Sequence, residues 1–127
     1  MPATLIRVTV PVADIERATT FYGRVLHQPG RRLSAGEHEF SCGGAALVCA
    51  ESAGTAPHTS PLYLAVPDLE NHYGRSSTSG CRAIGRIGPL PSGRRGFEVE
   101  DPFGNRLCFV ESSPGGDARA ETVPRNK

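Results

Sequence analysis

The chain has 127 residues, enough for one compact domain or for two half-domains that share a hydrophobic core. Its 14 lysine and arginine side chains nearly balance its 13 aspartate and glutamate side chains, which argues against a nucleic-acid-binding surface. No stretch approaches the roughly 20 apolar residues of a membrane span, so neither nucleic acid nor a membrane is an expected partner.

The first half of the chain predicts the element order βαβββ. Residues 4–10 alternate and are rich in β-branched side chains, which indicates a strand that Pro11 closes. Asp14 is the predicted N-cap of a helix of about three turns, which ends at Gln28-Pro29-Gly30. Three strands separated by glycine turns are predicted to follow, at 31–35, 37–42 and 45–51.

The second half repeats this order. The segment Val12-Ala13-Asp14-Ile15-Glu16 is echoed 54 residues later by Val66-Pro67-Asp68-Leu69-Glu70. The pattern predicts a strand at 62–66, a helix at 68–79 and strands at 82–87, 96–100 and 106–111. We therefore divide the chain into a first module at 1–51, a linker at 52–60, a second module at 61–112 and an aperiodic, disordered tail at 113–127.

The four cysteines predict a reducing compartment. Cys42, Cys49, Cys81 and Cys108 form no Cys-x-x-Cys pair, and three of them lie in apolar, strand-like sequence. The first residues lack the charged-then-apolar run of a secretory signal. Reduced, buried thiols and a cytoplasmic location are therefore expected.

Two motifs of the repeat resemble a known superfamily. The opening Val-x-Asp-Ile-Glu-x-Ala-x-x-Phe-Tyr and the closing Asp-Pro-x-Gly-Asn-Arg-Leu-x-Phe-Val-Glu resemble the vicinal oxygen chelate superfamily, which includes glyoxalase I, extradiol dioxygenases and the bleomycin resistance proteins. The resemblance spans residues 4–112. It implies an α+β fold in which two βαβββ modules form curved mixed sheets around a cleft, with the helices outside. It also implies a homodimer.

Strand alternation assigns side chains either to the helix side of each sheet or to the cleft. Ile6, Val8 and Val10 form an apolar set expected under the first helix, which places the intervening residues in the cleft. The same rule applied to the other strands gives the candidate ligand-binding residues Arg7, Thr9, Val48, Tyr63, Glu98, Glu100, Arg106 and Cys108.

The resemblance also implies four positions for metal ligands. In this chain they are Arg7, Val48, Pro61 and Cys108. Arginine cannot lose its proton to become a ligand, valine and proline have no donor, and one cysteine does not make a site. No metal and no other cofactor is therefore expected, and no catalytic residue is identified.

The sequence favours a metal-free protein that sequesters or carries a small, partly planar ligand, similar to the antibiotic-sequestering resistance members. One alternative is a glyoxalase- or dioxygenase-like lyase or oxidoreductase that holds a divalent metal with atypical ligands. Another is a metal-free enzyme that uses Arg7 with Glu98 or Glu100 for acid–base chemistry. Arg7 itself either pairs with a cleft glutamate (Glu39, Glu98 or Glu100) or binds oxygen atoms of the ligand. A pocket within one chain and a pocket across a dimer both remain open.

Overall fold

The computed structural model describes residues 2–112, so the tail predicted at 113–127 lies outside the described residues. The elements, in chain order, are β1 (Arg7–Val12), α1 (Ile15–Val25), β2 (Arg31–Ser34), β3 (Glu37–Cys42), β4 (Ala45–Glu51), β5 (Leu62–Val66), α2 (Leu69–Ser77), β6 (Ala83–Ile84), β7 (Gly88–Pro89), β8 (Arg95–Glu100) and β9 (Arg106–Glu111). The predicted α+β fold of two βαβββ modules is confirmed.

Each module contributes one open mixed sheet. The first sheet has the strand order β1-β4-β3-β2, and the second has the order β5-β9-β8-β6 with β7 also pairing with β8. In each sheet the first strand is parallel to the last, with Val8 opposite Leu47 and Leu62 opposite Leu107. These two pairs occupy the same place in the two modules. The modules therefore superimpose in register as well as in element order.

Both helices begin at an aspartate and bury one apolar stripe. The Asp14 carboxylate accepts hydrogen bonds from the backbone N–H groups of Glu16 at 3.0 Å and Arg17 at 3.1 Å, which satisfies donors that the first helical turn leaves unpaired. The Asp68 carboxylate accepts one from Asn71 at 3.1 Å. The second helix ends at Ser77 because glycine and a serine/threonine run lower its propensity.

The predicted alternation holds for the core and fails at one residue. Val10, Phe97 and Leu107 are buried on the helix side, as expected. Ile6, predicted to pack under α1, is instead 73% exposed. It precedes β1, whose first residue is Arg7, and therefore lies outside the regular part of the sheet.

Pro11 does not close the first strand, as predicted, but lies within β1. Its carbonyl points to the outer edge of the sheet, where it accepts a hydrogen bond from the Asn105 side chain at 2.8 Å. The nitrogen of Pro11 faces the same outer edge, so its missing N–H costs no hydrogen bond to β4. An edge strand therefore tolerates a proline that an interior strand would not.

The third strand of the second module is shorter than predicted. Only Ala83 and Ile84 of the range 82–87 pair with β8, and Gly88–Pro89 forms a further short strand on β8 where a loop was expected. Within residues 2–112, no helix is both long and apolar enough to cross a membrane. A cytoplasmic location stays a prediction.

Candidate functional site

The strand registers place the predicted cleft residues in two equivalent rows, one on each sheet. In the first sheet Thr9 lies opposite Val48, which lies opposite Glu39. In the second sheet the row is Tyr63, Cys108 and Glu98. Each row therefore runs from an outer-strand residue, across a small central side chain, to a glutamate.

The glutamates on this face each pair with an arginine other than Arg7. Glu39 lies 2.9 Å from Arg31, Glu98 lies 2.6 Å from Arg106 and Glu100 lies 3.4 Å from Arg82. In the described part of the chain no group bonds to Arg7, which is exposed. The expected partners of Arg7 are thus neutralised by other cations, and the pairing interpretation of Arg7 is wrong.

The central side chains of the two rows are covered. Val48 is 1% exposed and Cys108 is 0% exposed. Burial raises the pKa of the Cys108 thiol, and the nearby Glu98 raises it further. Because the thiolate is the reactive form, Cys108 is an inert thiol at neutral pH. Tyr63, in contrast, is 67% exposed and presents its ring to a ligand.

The two modules meet at a buried polar cluster, which we call the closed junction: Tyr22, Asp101, Asn105 and His58. The Tyr22 hydroxyl on α1 donates to the Asp101 carboxylate in the β8–β9 turn at 2.6 Å. The same carboxylate accepts from the Asn105 backbone N–H at 2.8 Å and from its side-chain amide at 2.9 Å. The His58 ring donates to the carbonyl of Thr9 at 2.8 Å.

Burial dominates the electrostatics of the closed junction. Tyr22 and Asp101 are both 0% exposed. Burial raises the pKa of the Tyr22 hydroxyl well above its usual value, and Asp101 raises it further. Burial, with a smaller contribution from Asp101, also raises the pKa of the neighbouring Cys49 to about 12. Both groups therefore stay neutral at physiological pH, and the tyrosine serves as a hydrogen-bond donor.

A groove of about 1450 Å³, which we call the open junction, separates the modules elsewhere. One wall is the outer strand β5, including Tyr63 and Ala65. The opposite wall is formed by Leu5, Leu26 and the hairpin at 42–45. Its lining is mainly apolar, and it therefore offers a surface for the apolar part of a small molecule.

The open junction lies where the second copy of the closed junction would be. By the spacing of 54 residues between the helices, Ser76 on α2 takes the place of Tyr22. Cys42 pairs with Ala45 at the β3–β4 turn, and both line the groove. They stand where the other turn has Asp101 and Asn105. Small side chains thus leave open on one side what the polar cluster fills on the other.

The four positions implied for metal ligands do not fit a metal ion. Among Arg7, Val48, Pro61 and Cys108, only the thiol is a possible donor, and burial raises its pKa. Across residues 2–112, no group of three or more histidine, cysteine, aspartate or glutamate side chains could hold a metal. His38, for example, is buried with one ring nitrogen 2.8 Å from the Pro29 carbonyl.

Sequence reasoning missed both junctions. Tyr22 and Asp101 are 79 residues apart in sequence, and no local pattern connects them. One signal was available, because the Phe-Tyr pair of the first helix has no aromatic counterpart at Arg75-Ser76 of the second. That difference marks the place where the two modules cannot make the same contact.

Comparisons with known proteins agree with this architecture. The model of the Glyoxalase/Bleomycin resistance protein/Dioxygenase superfamily matches residues 4–109. No curated protein sequence matches the chain. A glyoxalase/bleomycin resistance protein from Albidiferax ferrireducens T118 has a TM-score of 0.71 and 18% identity, covering 84% of this chain and 97% of its own.

Two further solved structures share the fold. A glyoxalase/bleomycin resistance protein from Catenulispora acidiphila DSM 44928 has a TM-score of 0.70 and 23% identity, covering 87% of this chain and 100% of its own. A lactoylglutathione lyase from Agrobacterium tumefaciens has a TM-score of 0.64 and 17% identity, covering 91% and 98%. At these identities the structural matches establish the fold alone.

Proposed function

Because the chain belongs to the glyoxalase/bleomycin resistance protein/dioxygenase superfamily, we propose that it sequesters or carries a small, partly planar molecule between its two modules without a metal ion. The observation that carries the proposal is the set of side chains at the four inherited ligand positions. An arginine, a valine, a proline and a buried thiol cannot hold a divalent ion, whereas binding a small molecule requires only a shaped, partly apolar surface.

The open junction supports this proposal. Small-molecule sites are usually concave and mainly apolar, with volumes of about 300–1,000 Å³. The groove has about 1450 Å³, so it accommodates such a molecule without rearrangement of the modules. The exposed Tyr63 ring, which lines it, offers a flat apolar face together with a hydroxyl group.

The two enzymatic alternatives have less support. A metal-dependent lyase or oxidoreductase needs ligands that the described residues do not bring together. A metal-free enzyme needs a carboxylate base that is available to the substrate. Glu98 and Glu100 are instead engaged by Arg106 and Arg82, which makes them poor candidates for that base.

Metal analysis and ligand screening of the same purified protein test the proposal. We expect less than stoichiometric nickel, zinc, manganese and iron by mass spectrometry. We also expect a rise in melting temperature with at least one planar organic molecule in a thermal-shift screen, and no comparable rise with divalent metals. A stoichiometric metal, or a melting temperature that responds only to metals, would refute the proposal.

We also propose that the protein forms a homodimer. Ile6 is 73% exposed at the start of the outer strand of the first sheet, and a second copy would cover it. Light scattering after size-exclusion chromatography tests this, with a mass of about twice the 13.5 kDa of one chain expected. A monomer at micromolar concentration would contradict it.

A further inference from the structure

The cleft-facing surface has an uneven charge at its outer strand. Glu39, Glu98 and Glu100 are neutralised by three arginines, which leaves Arg7 as a cation without a bonded partner in the described part of the chain. Glu37, the remaining carboxylate on this face of the first sheet, pairs in register with Ala50, whereas Arg7 pairs with Ala46. Glu37 is thus at the opposite end of the sheet and cannot compensate Arg7.

Arg7 lies at the seam between the modules. On the same face of β1 it is flanked by Leu5, which lines the groove, and by Thr9, whose carbonyl accepts from His58. Residues two apart on a strand are separated by about 6.5 Å. A long arginine side chain therefore reaches from its own position to the edge of the groove.

The groove itself is apolar and its polar groups are largely engaged. Glu111 in its lining is bonded to Arg95 at 2.8 Å, and this contact lowers the pKa of Glu111. Burial lowers the pKa of His72, so the imidazole is neutral at pH 7. Gln28 is bonded through its side chain to both backbone groups of Ser41, at 2.9 Å each. An occupant therefore meets apolar walls.

We infer that the open junction binds an amphipathic monoanion, with an apolar body in the groove and a carboxylate or a similar anion on the Arg7 guanidinium. The inference rests on the proposed small-molecule function and names the ligand class. The planar guanidinium matches a carboxylate with two parallel hydrogen bonds, and the exposed Tyr63 ring lies in the same groove for an apolar or planar body. A neutral ligand of the same shape would leave Arg7 without a partner.

Matched pairs of acid and amide test this directly. The probes are benzoate and benzamide, 2-naphthoate and 2-naphthamide, and decanoate and decanamide, titrated by calorimetry at pH 7 into the full chain. We expect at least one acid to bind about tenfold more tightly than its amide, the size of one charge-assisted contact. The preference should fall as salt is raised, because Arg7 is exposed.

Three variants locate the anchor. Arg7→Gln should abolish the preference for the acid while leaving amide binding and the melting temperature unchanged. Arg17→Gln removes an equivalent charge from an exposed position on α1 and should keep the preference. Arg94→Gln tests the other arginine of the groove lining, and it too should keep the preference.

Each other result overturns the inference, and the results differ in what else they refute. Equal affinity for acids and amides removes the anion but leaves small-molecule binding intact. A preference lost in the Arg94 variant and kept in the Arg7 variant assigns the anchor to Arg94. Binding of neither member of any pair refutes the proposed function as well. An acid affinity that weakens as protein concentration rises means that a second copy occupies the groove.

Discussion

The closed and open junctions occupy equivalent positions in the two modules, yet one is a packed polar cluster and the other is a groove. On the closed side, Tyr22 and Asp101 are fully buried and share a hydrogen bond of 2.6 Å. On the open side, Ser76 is equally buried but its hydroxyl has no hydrogen-bond partner. The same backbone register thus supports a fixed contact in one place and an unfilled space in the other.

The difference shows how a duplicated module can divide two tasks. A buried, fully bonded carboxylate fixes the relative position of the modules, because its donors have no other acceptor nearby. A groove at the second junction would be lost if the same cluster were present there. The two tasks need different side chains at equivalent positions, and the helices and turns supply them.

Removal of the carboxylate at the closed junction should have the largest effect. Asp101→Ala leaves the Tyr22 hydroxyl and the Asn105 amide with one acceptor fewer in a buried site. We expect a loss of about 4 kcal/mol in the free energy of unfolding, measured in urea. Asp68→Ala, which removes an exposed helix cap, is the control and should cost about 1 kcal/mol. Equal losses would mean that the closed junction does not fix the modules.

Removal of the donor alone should cost less. Tyr22→Phe keeps the ring and deletes the hydroxyl that donates to Asp101, and we expect a loss of about 2 kcal/mol. Tyr73→Phe is the control, since the Tyr73 ring packs against Phe97 and no hydrogen bond involves its hydroxyl in the described residues. It should change stability by less than about 0.5 kcal/mol. A similar loss in both variants would contradict the role of the hydrogen bond.

The counterpart substitution on the open side should have the opposite sign. Ser76→Ala removes a buried hydroxyl that has no partner, so we expect a gain of about 1 kcal/mol in the free energy of unfolding. Ser77→Ala, in which the exposed hydroxyl bonds to the Gly74 carbonyl, serves as the neighbour control and should be nearly neutral. Destabilisation by Ser76→Ala would show that its hydroxyl is satisfied in solution.

The smallest effect concerns acid pH. His72 takes the place of Ala18 in the first helix, and burial lowers its pKa below the ordinary 6.5. A depressed pKa means that the folded state favours the neutral ring, so its contribution is full above pH 6.5 and is lost as pH falls through the lowered value. The unfolding free energy of His72→Gln should therefore decline less between pH 7 and pH 5 than that of the natural chain. Parallel declines would contradict the shift.

The sequence predicts the elements well where local signals agree. Strands β3, β4, β5 and β9 begin and end at the expected residues, because glycine turns, a proline and a clear apolar alternation bound them. The Asp14 and Asp68 caps are likewise local signals. The short strand at Gly88–Pro89 could not be predicted, because it forms only by pairing with β8.

The site is less predictable for the same reason. Alternation identifies the side of the sheet that Arg7 and Tyr63 occupy, but exposure depends on how the modules meet. The closed junction joins residues from α1, β1, the linker and the β8–β9 turn. Its geometry exists only in the assembled fold, and so does the groove on the other side.

Pro11 has a consequence for misassembly. An outer strand with free donors can recruit a strand from another molecule and so start fibril growth or strand exchange. In β1 the proline has no donor and its carbonyl is already bonded to Asn105. The equivalent residue of β5 is Ala65, which lines the groove and keeps its N–H. Aberrant self-association is therefore expected to begin at β5, and an occupant of the groove would act as its chaperone.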